Sequence, residues 1–150
     1  MTPPHYRRPG WFTRNLFNRA VATATRLGIS VWGSRILETT GRTSGLPRRT
    51  PVNLLTYGGR EYLVSPRGET QWVRNARAAG GRMTLILGRK RREVIGTELA
   101  DEDKVEVLRA YLTRWKMEVG VFFGGVGPDS SDEQIRAIAG RHPAFAVTAS

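Results

Sequence analysis

The sequence predicts a mainly β fold with peripheral helices, a small antiparallel barrel in the α+β class. Three observations carry this. Two pairs of strand-like runs are each joined through a glycine-containing turn, at Gly58-Gly59 and at Gly88, and such turns connect antiparallel neighbours. Strand and helix do not alternate along the chain, which argues against a parallel doubly wound sheet. With 150 residues, 39% hydrophobic content and four tryptophans, the chain can bury one proper core and is too apolar for disorder.

Residues 1–10 are Pro-rich and read as a flexible leader, with a single domain expected over 11–150. Over 11–27, Phe12, Leu16, Ala20, Thr23 and Leu27 recur at helical spacing and Gly28 supplies a stop. Two readings of this helix stand. It covers the barrel, or its Trp11, Phe12 and Phe17 beside basic residues touch an anionic membrane. Strands follow at 34–39, 49–57 and 60–65, then a short helix over 70–79 capped by Thr70 and stopped at Gly80-Gly81. A second strand pair, 83–87 and 93–99, is joined through Gly88 and the basic run Arg89 to Arg92. From Asp101 an amphipathic helix presents Val105, Leu108, Leu112 and Trp115 on one face, with acids in its first turn. Residues 120–128 form a Gly-rich loop. Ser131, followed by Glu133 and Gln134, opens a last helix with Ile135 and Ile138 inward, and 144–148 is a final strand.

Composition narrows the chemistry. The chain has no cysteine, which removes disulfides, thiolate nucleophiles and cysteine-ligated metals. Its two histidines, His5 and His142, sit near opposite ends, which disfavours a multi-histidine metal site or a His-centred triad. Hard chemistry is therefore expected from a cofactor. No metal is expected. A net charge of +11 draws polyanions: nucleic acid, an anionic membrane face or a phosphate-bearing ligand. No helix-turn-helix, zinc-finger or RNA-recognition signature accompanies that charge, and the run Arg89 to Arg92 reads as a solvated strand edge. Neither an apolar run long enough to span a bilayer nor a secretory leader is present, so a cytoplasmic location is expected, with membrane association through the first helix as its variant.

Two loops can carry chemistry. Gly41 and Gly45 bracket Arg42, Thr43 and Ser44, with Arg48 close behind. Glycine permits backbone amides to converge on an anion, while the hydroxyls and guanidiniums add donors and charge. A Gly-rich basic loop taken alone is more often a solvated turn. The second loop, Ser65-Pro66-Arg67-Gly68-Glu69-Thr70, leads into a helix whose free amides attract anions. Trp72 there offers a flat face for an aromatic ring, and Gln71 and Asn75 offer amides for ring heteroatoms; the alternative places Trp72 in the core.

The stretch Thr39-Thr40-Gly41-Arg42-Thr43-Ser44-Gly45-Leu46-Pro47-Arg48, followed by strand, hairpin and Ser65-x-x-Gly68…Trp72-x-x-Asn75, resembles the deazaflavin-dependent nitroreductase family. The resemblance is good over about 34–100 and loose over the final third. It implies a split β-barrel, an FMN-binding-like antiparallel Greek-key barrel, and a site for coenzyme F420, with FMN as the alternative. It places Arg42, Thr43, Ser44 and Gly45 on the cofactor's phosphate or acidic tail. Arg48, Arg49, Thr50, Pro51, Val52 and Asn53 would run along the cofactor. Ser65, Arg67 and Gly68 would touch phosphate or ring, and Gln71, Trp72 and Asn75 would border the ring pocket. Thr43 stands where many members have lysine, and the 66–71 loop is short, with Val73 in place of tyrosine. No late-helix tyrosine is matched; Tyr111 aligns too weakly to assign a catalytic role.

The function expected on this basis is F420H2-dependent hydride transfer to a small activated acceptor: a quinone, enone or nitro compound. An FMN enzyme and a non-catalytic flavin- or haem-type binding barrel are the alternatives, with a nucleic-acid module behind them. The resemblance also implies a homodimer.

Overall fold

In the computed structural model, which describes residues 33–150, β1 (Ser34–Thr40) runs antiparallel to β2 (Pro47–Tyr57). The glycine hairpin returns β2 into β3 (Arg60–Val64), with Tyr57 opposite Arg60 and both turn glycines at positive φ. Helix α1 (Gln71–Ala78) then carries the chain across the barrel to β4 (Arg82–Leu87), which pairs with β1 rather than with β3. After β5 (Lys90–Glu98), the helices α2 (Val105–Val119) and α3 (Asp132–Ala139) lead to β6 (Ala144–Ala149). The strand order β1-β2-β3-β6-β5-β4 closes on itself, every pair antiparallel. The leader over 1–10 and the helix over 11–27, with its membrane contact, lie outside the described residues. Among the described residues no helix is long and apolar enough to cross a membrane.

Strand alternation divides the core in two. Leu37, Leu54, Leu63, Leu85, Val94 and Phe145 point into the barrel, where Trp72, Val73 and Ala76 of α1 plug one end. Leu55, Val64 and Ala144 point outward and are covered by Leu108, Tyr111 and Leu112 of α2 and Ile135 of α3. At the far end of the barrel interior the residues two places from Leu63 and Val94 are Glu61 and Arg92. They meet in a forked pair, Nη1 to Oε1 at 3.0 Å and Nη2 to Oε2 at 3.1 Å.

Several boundaries moved. The basic run is not the connection between β4 and β5: Leu87 pairs with Lys90, so Gly88 and Arg89 alone make the turn and Lys90 to Arg92 begin the strand. Lys90 to Arg92 pair with β4 only, since β6 joins at Val94 and Ser150 reaches no further than the Glu93 carbonyl. The run is thus a strand edge, as its charge suggested. Residues 120–123, expected as loop, form a 3-10 turn that buries Phe122 and Phe123. The last helix opens at Ser131 as expected, and Ser131 and Gln134 form a capping box there.

Candidate functional site

The β1–β2 turn meets the N-terminal half of α1. Gly41 donates its amide to the Leu46 carbonyl and Gly45 donates to the Gly41 carbonyl, both at 2.8 Å. Leu46 donates to Ser44 Oγ at 3.2 Å. These bonds close the turn on itself, so the expected convergent amide nest is smaller than the sequence implied. Thr43 and Ser44 retain amides uncommitted among the described residues. Gly41 has to be glycine for space: a Cβ there would stand 2.6 Å from Ser44 Oγ, 3.2 Å from Leu46 O and 3.5 Å from Arg48 Nε. Ser44 and Arg48 therefore both border the Gly41 position.

Arg42 is fixed by neutral groups. Its Nη1 donates to Gln71 Oε1 at 2.9 Å and to Asn75 Oδ1 at 2.8 Å. Asn75 is buried and its Nδ2 donates to Thr39 Oγ1 at 3.4 Å. Gln71 and Asn75, expected to read a ring, instead orient a guanidinium. The consequence is electrostatic. Among the described residues no carboxylate pairs with Arg42, Arg48, Arg67 or Arg74, whereas Arg49, Arg91, Arg92 and Arg109 each hold one and Arg77 holds two. The turn and the Arg74 side of α1 thus carry positive charge with no paired carboxylate among the described residues, whereas Arg77 further along α1 is held by Glu69 and Glu98.

The strand stretch 48–53 divides. Leu54 donates to the Gly33 carbonyl across β1, so by antiparallel alternation the backbones of Arg49 and Pro51 face the other side. There β3 pairs only with Leu54 to Tyr57, leaving residues 47–53 without a strand partner on that side among the described residues. Pro51, which has no N–H, fits this open edge. Side chains alternate too. Arg48, Thr50 and Val52 follow the inner face of Leu54. Arg49 is bound outside to Glu38 at 2.9 Å, and Asn53 shares that outer face by alternation. Six consecutive side chains cannot all line one ligand. Burial pushes the Tyr111 phenol well above its usual range.

The second loop borders the same region. Ser65 Oγ donates to the Gly68 carbonyl at 2.6 Å and lies 3.2 Å from Thr70 Oγ1. Gly68 adopts φ +91°, a conformation that requires glycine. Arg67 lies over the Phe122 ring at 5.3 Å. Thr70 is the N-cap of α1 by position, but its hydroxyl makes no capping bond. Trp72 is 8% exposed and tilts against Phe145 at 5.7 Å. The indole is barrel core, and the open flat face expected of it is absent. Sequence reasoning missed Thr39, which anchors Asn75, and His142, which reaches the Pro66 carbonyl. Thr39 had no local signal. His142 was weighed only as a metal ligand or triad member.

Residues 11–119 match the family described as F420H(2)-dependent quinone reductase. Similar solved structures include a domain-swapped dimer (18% identity, 91% of this chain and 97% of that one, TM-score 0.53). An F420-H2 dependent reductase is similar at 18% identity over 77% of this chain and 94% of its own, TM-score 0.51. A conserved hypothetical protein from Mycobacterium tuberculosis is similar at 14% identity over 99% of this chain and 85% of its own, TM-score 0.51. No curated protein matches the chain. At these identities the likeness is one of fold, and the fold is the split, FMN-binding-like barrel expected.

Proposed function

Because the chain belongs to the F420H(2)-dependent quinone reductase family and is therefore an oxidoreductase, we propose that it reduces a quinone, enone or nitro compound beside the β1–β2 turn, where that turn meets α1. Reduced deazaflavin, when bound, supplies a transferable hydride. The protein's residues then need to bind, orient and shield. The observation that carries this reading is the pair Arg42 and Arg48, brought to one glycine turn with no carboxylate paired to either.

That donor set fits an anionic cofactor. Arg42, Arg48, the Thr43 and Ser44 amides and their hydroxyls would hold phosphate or an acidic tail. The Arg49 backbone amide, Thr50 and the unpaired edge of β2 would lie alongside. Ser65, Arg67 and Gly68 would close the second side. Gln71 and Asn75 would act through Arg42, fixing its guanidinium before the ligand arrives, which lowers the cost of ordering it. As the acceptor gains negative charge, arginine and backbone N–H donors would stabilise it.

The test is titration of the purified chain with reduced F420, monitored by cofactor fluorescence. Saturable binding at roughly tens of micromolar, an ordinary range for enzyme ligands, with reoxidation by a quinone, is expected. No binding there, together with clear binding of FMN, would transfer the assignment to a flavin. Binding without turnover of any quinone, enone or nitro compound would leave a carrier barrel. A nucleic-acid role finds less support, because Arg91 and Arg92 of the basic edge are paired with Glu38 and Glu61. A homodimer is proposed from the likeness to a domain-swapped dimer, with exposed Met117 and Val121 as apolar candidates for the contact; sedimentation of the chain at two concentrations decides it.

A further inference from the structure

His142 lies between α3 and β6, far in sequence from the cofactor loops, and its side chain is 1% exposed. Its Nδ1 stands 3.0 Å from the Pro66 carbonyl. A carbonyl only accepts, so Nδ1 carries the proton in this contact. The ring lies nearly flat on Phe123, centroids 4.0 Å apart at 17°. The neighbours of Pro66 are held from the same quarter. Ser65 donates its amide to the Pro143 carbonyl at 2.8 Å, and the Arg67 guanidinium sits over Phe122. Three consecutive loop residues are thus gripped by residues 122–143, all beyond the segment 11–119 that matches the family.

The grip on Pro66 has a particular effect. The proline ring fixes φ, and a peptide unit is planar. Holding the Pro66 carbonyl therefore fixes the plane of the Pro66–Arg67 peptide and the direction in which Arg67 leaves the backbone. Gly68, at positive φ and bonded to Ser65 Oγ, continues from that plane. We propose that His142 is a positioning residue of the cofactor site: through its Nδ1–H it sets the Pro66–Arg67 peptide, and so aims Arg67 and the Gly68 backbone at bound deazaflavin. This rests on the function proposed above.

Two readouts test it. The first is the dissociation constant for F420. The second is amide hydrogen exchange at Gly68 and Thr70 in cofactor-free protein, whose amides bond to Ser65 O and Gly68 O. His142→Phe keeps a disc against Phe123 and loses the donor; binding is expected to weaken about tenfold, within the range for a buried carbonyl left unpaired, and exchange to quicken. His142→Asn keeps an amide donor near the Nδ1 position and should stay within about threefold of the parent affinity, because the bond to the Pro66 carbonyl is retained. His142→Gln sets its donor one bond further out and should behave like the phenylalanine variant. If phenylalanine disrupts folding, the asparagine–glutamine comparison decides alone. Parental affinity and exchange in the phenylalanine or glutamine variant would overturn the proposal. So would equal losses in all three that follow melting temperature. If the parent binds no deazaflavin, the proposed function falls, and with it this role; an unchanged exchange pattern would show separately that the loop does not depend on His142.

Discussion

Arg42 approaches Asn75 twice: its backbone amide and its Nη1 both donate to the same Oδ1, at 3.2 and 2.8 Å. One buried amide thereby joins α1 to the β1–β2 turn, and its other end reaches Thr39. Structure and charge placement are carried by the same side chain, and substitutions can separate them.

Asn75→Ala removes both acceptor contacts and leaves the Arg42 amide without this partner. A loss of about 1–3 kcal/mol in folding stability is expected, seen as a lower urea midpoint. Asn75→Asp keeps the acceptor and adds a charge that neutralises Arg42. It should fold with a smaller loss, yet bind F420 more weakly. Arg42→Ala should cost about 1–3 kcal/mol of cofactor binding, the range for a charge-assisted bond, with little effect on the fold. Equal F420 affinity for parent, Asn75→Asp and Arg42→Ala would remove the turn from the cofactor site.

The two glycines that bracket the turn should respond differently. A Cβ at Gly41 meets Ser44 Oγ at 2.6 Å and the Leu46 carbonyl at 3.2 Å, so Gly41→Ala forces the turn to move and should damage cofactor binding. Gly45 has φ +72° and nothing within 4 Å of a new Cβ. Gly45→Ala should therefore cost only the left-handed penalty, about 1–2 kcal/mol, and largely spare affinity. Melting curves and F420 titrations on both variants check the order. A reversed order would mean that the turn is held otherwise.

What the sequence made legible was local. The Gly58-Gly59 hairpin, the helix start at Ser131 and the inward faces of α2 and α3 all depend on residues within a few positions of one another. The basic run was misplaced because a turn and a charged strand start look alike until Glu38 and Glu61 arrive from other strands to pair with Arg91 and Arg92. Asn75 was recognised as a site residue but given a ligand to bind, since its actual partner is Arg42 across the fold. Trp72 carried both readings at once, and only the barrel interior chose between them.

Acid should weaken the fold through Glu38. Its carboxylate accepts from Arg91 and Arg49, and these bonds, Arg91's first, hold its pKa below the usual 4.5 despite opposing burial. A lowered folded-state value means that the contribution is complete above about pH 4.5 and fades as pH falls through the lower, folded value. Glu98 follows the same sign through Arg77. Glu38→Gln should be less stable than the parent at neutral pH, and the gap should close below that range in urea titrations. Added salt should narrow it too, since Arg49 and Arg91 are about half exposed (58% and 50%). A gap that is constant with pH would place the effect elsewhere.

Trp72 supplies the sharpest contrast between packing and binding. The indole sits with Val73 and Ala76 in the plug of the barrel, and its ring neighbour is Phe145 of β6, not an open cleft. Trp72→Phe keeps an aromatic ring but leaves part of that space unfilled. A loss of about 1–3 kcal/mol in stability is expected from large-to-small change in a core. The site's charged donors belong to the turn and to the Ser65–Thr70 loop, so they keep their positions if α1 stays docked, which the Arg42–Asn75 contact ensures. F420 affinity, measured well below the variant's melting temperature, should then change by less than about threefold, or ~0.6 kcal/mol. A loss of affinity far beyond that in a variant of near-parental stability would instead put the indole edge in contact with the cofactor ring.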